Sequence, residues 1–229
     1  MTTGIDNTLL GQGAGDSLTT GSYNVVIGRL AGQAATSMSY ATIIGRTAGI
    51  SHTSGAEPCY IGYDAGQQVT SGNANTAIGT SAMTYGNGSY NTFVGYQSGF
   101  GTNAQSSNDN TALGYYGLRS ISTGSRNTVV GGEAGKNVST GSDNTLIGYQ
   151  SGQALTTGSP NTAVGRWSLY SATTGFANTL MGYDCGASLT SGFQNTAMGQ
   201  YAMRYSTTSI VTGKQIGRAS CRERVLRLV

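Results

Sequence analysis

Apolar and polar positions recur with a fixed, long period along this chain. The motif Asn-Thr-x-apolar-Gly appears from end to end. With its Asn taken as position 1, the units begin at residues 7, 24, 41, 58, 75, 91, 110, 127, 144, 161, 178 and 195. The spacing between these starts is 17 in nine of the eleven intervals, and the two exceptions, 16 and 19, are adjacent. Such a period predicts a repeat architecture in which each unit packs on its neighbours.

Each unit has one short apolar segment, at positions 2 to 5, which is rich in Thr, Val, Ile and Leu and ends in Gly. This pattern is typical of a β-strand closed by a turn, and a second short strand is predicted around positions 10 to 13. Units of this length are too short for the helix pairs of helical repeats. The pattern therefore predicts an all-β, parallel β-solenoid (β-roll) of about twelve 17-residue coils with two short strands each. At the spacing of paired strands, twelve coils would span roughly 55 Å.

Three positions of the unit are nearly invariant. Position 1 is Asn in ten of the twelve units, position 5 is Gly in all twelve, and position 8 is Ala, Ser, Gly or Cys in all twelve. Stacked coils superpose identical positions, so the Asn amides are predicted to form a hydrogen-bonded ladder at a corner. The Gly predicts a bend where a Cβ would clash or where φ is positive. The small residues at position 8 predict a narrow interior.

Alternation along the strand decides which side chains form the core. Positions 2 and 4 share one face and position 3 takes the other. Position 4 is Leu, Ile, Val or Met in all twelve units and is predicted to be interior, which leaves position 3 facing outward. An alternative stays open, in which the alternation slips at the corner and position 3 is interior.

Position 3 is apolar in every unit apart from one Tyr hydroxyl. If it faces outward, an uninterrupted apolar stripe remains on the surface, and such a stripe predicts self-association. Apart from its alanines, this self-association stripe consists of Leu9, Val26, Ile43, Tyr60, Phe93, Val129, Leu146 and Leu180.

Composition and charge mainly exclude classes of protein. Only 9% of the residues are charged, and 37 of the 229 are Gly. No apolar run approaches the roughly 20 residues of a membrane span, so no membrane insertion is expected. Residues 1–213 hold 7 Lys and Arg and 8 Asp and Glu, so the net charge of +3 arises in residues 214–229.

The C-terminal segment, residues 214–229, differs abruptly from the repeats. Its stretch from Gln215 to Val225 is similar to a translated sequencing adapter, so the whole segment is interpreted as a non-native tail. Residues 1–213 are interpreted as a repeat region taken from a longer fibre. The alternative for the tail is a native basic segment that binds nucleic acid. Because no basic pattern precedes it, no nucleic-acid partner is expected.

Groups that could carry chemistry do not assemble in this pattern. His52, the only histidine, takes position 12, where other units carry Leu or Val, and is interpreted as a core or turn residue. The acids Asp64, Glu133 and Asp184 share position 7 on coils that are not adjacent, so no stacked carboxylate pair for glycoside cleavage is expected. No Cys/His cluster has the spacing of metal ligands. The sequence therefore predicts no enzyme activity, no cofactor and no metal site.

Two surface patterns offer recognition. Aromatic residues recur at position 6, with one Trp at position 7, and exposed rings either stack on sugar faces or pack on one another. The candidate glycan contacts are Tyr63, Tyr96, Tyr115, Tyr149, Trp167 and Tyr183. Thr and Ser recur at positions 13 and 14, as in Thr156-Thr157. A regular hydroxyl array predicts an alternative function, an ice-binding β-solenoid, although Ser often replaces Thr and a Gly turn follows at once.

The unit that opens with N-T-A-I-G-x-x-A in Asn75 to Met83, and with Met in place of Ile in Asn195 to Met203, resembles the head repeat of YadA-type trimeric autotransporter adhesins. It is more closely similar to the Asn-Thr repeats of bacteriophage tail-fibre proteins, over residues 2 to about 209. The resemblance implies a homotrimeric structural segment, left-handed in the adhesin heads. Such a segment would act as a rigid spacer or head for host-surface attachment, on a virion tail fibre or an extracellular cell surface. Adhesin-head coils are shorter than these, so handedness and trimer geometry do not carry over.

Overall fold

The computed structural model describes residues 3–102 and 106–207 and the backbone of Gln215–Ile216. One parallel sheet runs through all of it, in the order β1 to β13, and the described residues contain no helix. The strands are β1 (Thr8–Leu10), β2 (Val25–Ile27), β3 (Thr42–Ile44), β4 (Cys59–Ile61), β5 (Thr76–Ile78), β6 (Thr92–Val94), β7 (Thr111–Leu113), β8 (Thr128–Val130), β9 (Thr145–Ile147), β10 (Asn161–Val164), β11 (Asn178–Met181), β12 (Thr196–Met198) and β13 (Gln215–Ile216). The chain is a parallel β-solenoid with one coil per repeat, as predicted.

Coils stack in the register that the repeat predicts. Position 3 of each strand lies opposite position 3 of the next, as in the pairing of Val129 with Leu146. The two irregular intervals do not shift this register, since Ala77 pairs with Phe93 and Phe93 with Ala112. The missing and extra residues are therefore accommodated outside the sheet.

The second strand predicted at positions 10 to 13 is wrong. Each coil contributes one strand to the sheet, and the rest of the described coil runs through turns. Positions 7 and 9 both adopt left-handed backbone angles, as at Gln150 (φ 56°) and Gly152 (φ 58°), which end the extended chain. Coil-to-coil bonding continues without a strand, because the N–H of Thr156 donates to the carbonyl of Thr173 at 2.9 Å.

The Asn ladder is confirmed, and it lies inside the solenoid. Asn127 Nδ2 donates to Asn110 Oδ1 of the preceding coil at 3.0 Å and to the Gly141 carbonyl of its own coil at 2.9 Å. Its Oδ1 accepts the backbone N–H and the Nδ2 of Asn144, both at 3.0 Å. Each buried amide therefore satisfies a turn carbonyl across the interior as well as its neighbours above and below.

The invariant Gly at position 5 meets both of the predicted conditions. At Gly148 the backbone angle φ is +126°, in a region that residues other than glycine rarely adopt. A Cβ there would also lie 2.6 Å from the carbonyl oxygen of Gly165, the same position one coil on. Neither the backbone angle φ nor the distance to the next coil allows a side chain at position 5, so any substitution there would strain the fold.

The assignment of the two strand faces was wrong, and the open alternative is the one observed. The side chains at position 3 are buried inside one chain, with Val129, Leu146 and Leu180 at 0% exposure. Those at position 4 point outward, with Leu113 at 39% and Met198 at 46%. The reason is the Asn: its amide must face inward to reach the turn carbonyl, and position 3 shares its side of the strand.

The members of the predicted self-association stripe are therefore core residues. Full burial applies to Val26, Ile43, Tyr60, Phe93, Val129, Leu146 and Leu180, and Leu9, in the first coil, is partly buried against the same core. These side chains cannot contact a second chain, because their own coil covers them.

The core is filled by a reciprocal choice of residues at positions 3 and 9. Where position 3 is large, position 9 is Gly: a Cβ on Gly152 would lie 2.8 Å from the side chain of Leu146. Where position 3 is Ala, position 9 is Met or Leu, as in the pair Ala163 and Leu169, which are both fully buried. All twelve units follow this rule, so each coil holds about the same core volume and the stack stays uniform.

The proposed boundary after residue 213 and most of residues 214–229 lie outside the described residues. Within that segment only Gln215–Ile216 are described, and they pair in parallel with Ala197 and Met198 of β12.

Candidate functional surfaces

The outer sheet face consists of positions 2 and 4 of β1 to β12. Position 4 forms an aliphatic column and position 2 a column of Thr, with Val25 and Cys59 as the exceptions. The aliphatic column contains Leu10, Ile27, Ile44, Ile61, Ile78, Val94, Leu113, Val130, Ile147, Val164, Met181 and Met198. None of its members is fully buried. A charge-free strip of two columns therefore runs the length of the sheet. The sequence predicts an exposed apolar stripe at position 3, and the structure has it at position 4.

The candidate glycan contacts lie along the edge that follows the strands. Tyr63, Tyr96, Tyr115 and Tyr149 are between 43% and 49% exposed, whereas Trp167 and Tyr183 are half-buried. The structure thus places all six on one edge of the solenoid but gives them different degrees of access.

The aromatic edge divides into separate clusters. Tyr96 stacks on Tyr115 with ring centroids 5.7 Å apart, and a hydrogen bond with Tyr116, ahead of burial and nearby charges, raises the pKa of Tyr115 to about 12. Tyr63 lies apart, under the Arg46 guanidinium at 5.4 Å. These rings mainly pack on one another and on cations, which is the packing interpretation of the column.

Arg166 organises the third cluster. Its guanidinium lies 3.8 Å from the ring centroid of Trp167 and 5.8 Å from those of Tyr149 and Tyr183. The indole Nε1 of Trp167 donates to Gln150 Oε1 at 2.6 Å, which fixes the ring. One face of the Trp is covered by the cation, so three of the predicted contacts meet in one place but do not form an open platform.

Hydroxyls at position 13 are used inside the protein. Thr36 Oγ1 donates to the Thr53 carbonyl at 3.1 Å, and Thr156 Oγ1 donates to the Thr173 carbonyl at 2.9 Å. Ser139 replaces Thr and bonds in the same way to the Thr156 carbonyl, at 3.2 Å. Donors at position 13 are bonded to the next coil and are not free to order water, which leaves only position 14 of the doubled hydroxyl column for ice binding.

His52 is a core residue, as predicted. It is fully buried, its ring meets Tyr60 edge-on at 5.6 Å, and neither imidazole nitrogen has a hydrogen-bond partner among the described residues. Burial lowers its pKa to about 4, because the charged form cannot be solvated there.

The acids at position 7 are held by neighbouring side chains. Gln67 Nε2 donates to Asp64 Oδ1 at 2.8 Å. Hydrogen bonding from Gln150, together with Lys136 at 3.6 Å, holds the pKa of Glu133 below its usual value. The described residues contain no group of three or more His, Cys, Asp or Glu that could hold a metal ion. They also include no helix that is long and apolar enough to cross a membrane.

Other surface features were missed by sequence reasoning. A second aromatic column follows positions 16 and 17, where Tyr23 stacks on Tyr40 at 5.2 Å and Phe176 on Phe193 at 5.1 Å. The signal was present, since rings at the same position of adjacent units must stack. No protein-family model, curated protein or solved structure gives a significant match to the chain.

Proposed function

We propose that this chain is a structural segment of an extended fibre or adhesin, in which copies of the chain associate through the outer sheet face. The observation that carries the proposal is the unbroken aliphatic column at position 4. Parallel sheets are normally covered on both faces, and here one face is covered by the chain's own turns while the other is bare.

The dimensions of the outer sheet face suit an interface between copies. A strip roughly 55 Å long and about 10 Å wide, the length of a three-residue strand, supplies roughly two thirds of the ~800 Å² that each partner contributes to a stable complex. It carries no charge that would have to be desolvated, since every member of both columns is Thr, Cys or aliphatic. A second copy presents the same strip with the same coil spacing, so side chains can interlock along the whole length.

The resemblance to trimeric adhesin heads is what supports an assembly of three chains over one of two. The assembly would be a stiff rod, because every coil bonds to the next and the core is uniform. A rod of this kind suits a spacer or head that presents a recognition element on a virion tail fibre or a cell surface.

Molar mass measured by light scattering during gel filtration tests the proposal. The wild-type chain is expected at three times the protomer mass, and Ile147→Asp is expected as a folded monomer, because a carboxylate would be buried without a partner. Thr157→Asp is the matched control: it adds the same charge at an exposed turn position and should leave the mass unchanged. A wild-type monomer at micromolar concentration would rule out the assembly.

Ice binding through the same face is the second candidate. The observation that favours it is the Thr column at position 2 beside the aliphatic column, repeated at the coil spacing. Ice binding needs the face free in a monomer, whereas self-association covers it. Thermal hysteresis from monomeric chain, lost in Thr145→Leu and Thr162→Leu, would support ice binding over the fibre.

A further inference from the structure

An open groove of about 370 Å³ lies near the last coils, among positions 7, 10 and 11 and outside the outer sheet face. It exists because of one small residue. Position 10 carries a long or large side chain in the neighbouring coils, at Gln153, Tyr170 and Arg204, but Ala at residue 187. The backbone stays in register, since the N–H of Ser171 donates to the Ala187 carbonyl at 3.0 Å. The groove is thus the space that a large side chain at position 10 would fill.

The small side chain of Ala187 changes the surroundings of Asp184. In two other coils the acid at position 7 has a donor at position 10 of its own coil: Gln67 for Asp64 and Lys136 for Glu133. In the coil of Asp184 the corresponding residue is Ala187, whose methyl group cannot donate. The Asp184 side chain is 5% exposed and pairs with Arg204 of the next coil at 3.2 Å. Its carboxylate therefore borders the space that its own coil leaves empty.

Two tyrosines flank the opening. Tyr170 is 36% exposed and Tyr205 is 72% exposed, and they belong to coils two steps apart, which is about 9.6 Å at the spacing of paired strands. This is the separation of the two backbones; only the small Ala187 side chain lies on the coil between them, and the groove of about 370 Å³ has room for one saturated six-membered ring. The C–H face of a sugar ring packs on aromatic rings, while its hydroxyls need both donors and acceptors.

We propose that the groove between Tyr170 and Tyr205 binds one neutral pyranose unit of a glycan, with adjacent hydroxyls bonded to Asp184 and Arg204. One hydroxyl donates to the carboxylate and its neighbour accepts from the guanidinium. The charges of Asp184 and Arg204 cancel and the other lining residues are neutral, so the groove favours a neutral sugar over an acidic one. The site lies outside the interface of the proposed fibre and does not depend on its assembly.

The chain supplies its own reporter, because Trp167, its single Trp, lines the groove. The experiment is a titration of the full chain with methyl glycosides of neutral hexoses and of N-acetylhexosamines, followed by Trp fluorescence and by saturation-transfer NMR. A small, shallow site predicts saturable binding in the millimolar range. Methyl sialoside is the acidic comparison and is expected to bind at least about tenfold more weakly.

Ala187→Gln is the decisive variant, because it places at position 10 the side chain that Gln67 and Gln153 have there, and it should fold like those coils. It is expected to abolish saturable binding. Ala34→Gln makes the same change at position 11 of another coil, where Gln68 already occurs, and should bind as the wild type does. Tyr205→Ala, at an exposed side chain, is expected to weaken binding at least about fivefold.

Two results would overturn the proposal: no saturable response of wild type to any neutral glycoside, or unchanged affinity in Ala187→Gln. Stronger binding of the sialoside than of every neutral glycoside would overturn the assignment of ligand class. All these measurements are independent of the molar mass, so failure of the groove and failure of the fibre interface are distinguishable.

Discussion

Positions 3 and 4 of the repeat are neighbours in sequence and similarly apolar, yet the solenoid uses them for different purposes. Leu146 is fully buried and packs against Gly152 of its own coil, whereas Ile147 is 36% exposed on the outer sheet face. The inner position is matched in volume to position 9 unit by unit, and the outer one varies freely among Leu, Ile, Val and Met. Hydrophobicity alone therefore does not distinguish a core position from an interface position, but dependence on another position of the same unit does.

The largest expected difference between the two faces comes from removing one side chain from each. Leu146→Ala should lower the free energy of unfolding by about 4 kcal/mol, because it leaves a cavity in a core that cannot collapse. Ile147→Ala should lower it by about 1 kcal/mol in the monomer, since much of that side chain is already in water. Urea unfolding of the two variants at concentrations that keep the chain monomeric measures both. Equal losses would contradict the assignment of the faces.

The reciprocal rule at positions 3 and 9 is sharpened by a double-mutant cycle. Ala163→Leu should cost about 2 kcal/mol by overpacking, and Leu169→Gly about 3 kcal/mol by leaving a cavity. The double variant reproduces the Leu-Gly pair of neighbouring units and should unfold within about 1 kcal/mol of wild type, a coupling of roughly 4 kcal/mol. Additive losses in the urea midpoints would mean that the two side chains do not share one space.

Protonation of a buried side chain and of an exposed one should also differ in its effect on stability, by a smaller free energy than the core substitutions. The folded-state pKa of His52, about 4, lies below its unfolded value of 6.5, so the unfolded chain binds a proton that the folded chain does not. Stability is full above 6.5 and falls as the pH drops toward 4, by about 2 kcal/mol from about pH 7 to about pH 5. His52→Val, which copies Val69 of the next coil, should remove that part of the pH dependence.

The control for this titration is the exposed ion pair of Arg126 and Asp143, 2.7 Å apart. Arg126→Ala should leave the pH dependence over the same range unchanged, because solvent screens both charges. Thermal melts at a series of pH values compare the variants. A His52→Val chain that loses as much stability on acidification as wild type would contradict the buried, neutral imidazole.

Much of the fold could be predicted because stacked coils impose the same structural requirement at the same position of every unit, and that requirement is visible in the sequence. Gly at position 5 recurs in all twelve units and Asn at position 1 in ten, where a coil must turn or bond to the next, and both roles are observed. The second strand could not be predicted from apolar periodicity, because the left-handed residues at positions 7 and 9 include ordinary side chains such as Gln150 and Leu169. The groove was also beyond prediction from pattern, since it depends on Ala187 lying between large side chains of adjacent coils.

The amino-acid sequence by itself determined the period, the parallel stacking, the closed glycine bend and the amide ladder, because identical positions of a solenoid must superpose. It also contained the reciprocal sizes at positions 3 and 9. Only the tertiary structure decided which side of the strand is inside. Alternation along the strand places positions 3 and 4 on opposite faces, but both positions are apolar, so hydrophobicity does not show which of them is inside. The choice depends on the Asn amide, which turns inward to satisfy a turn carbonyl that closes only when the coil is complete.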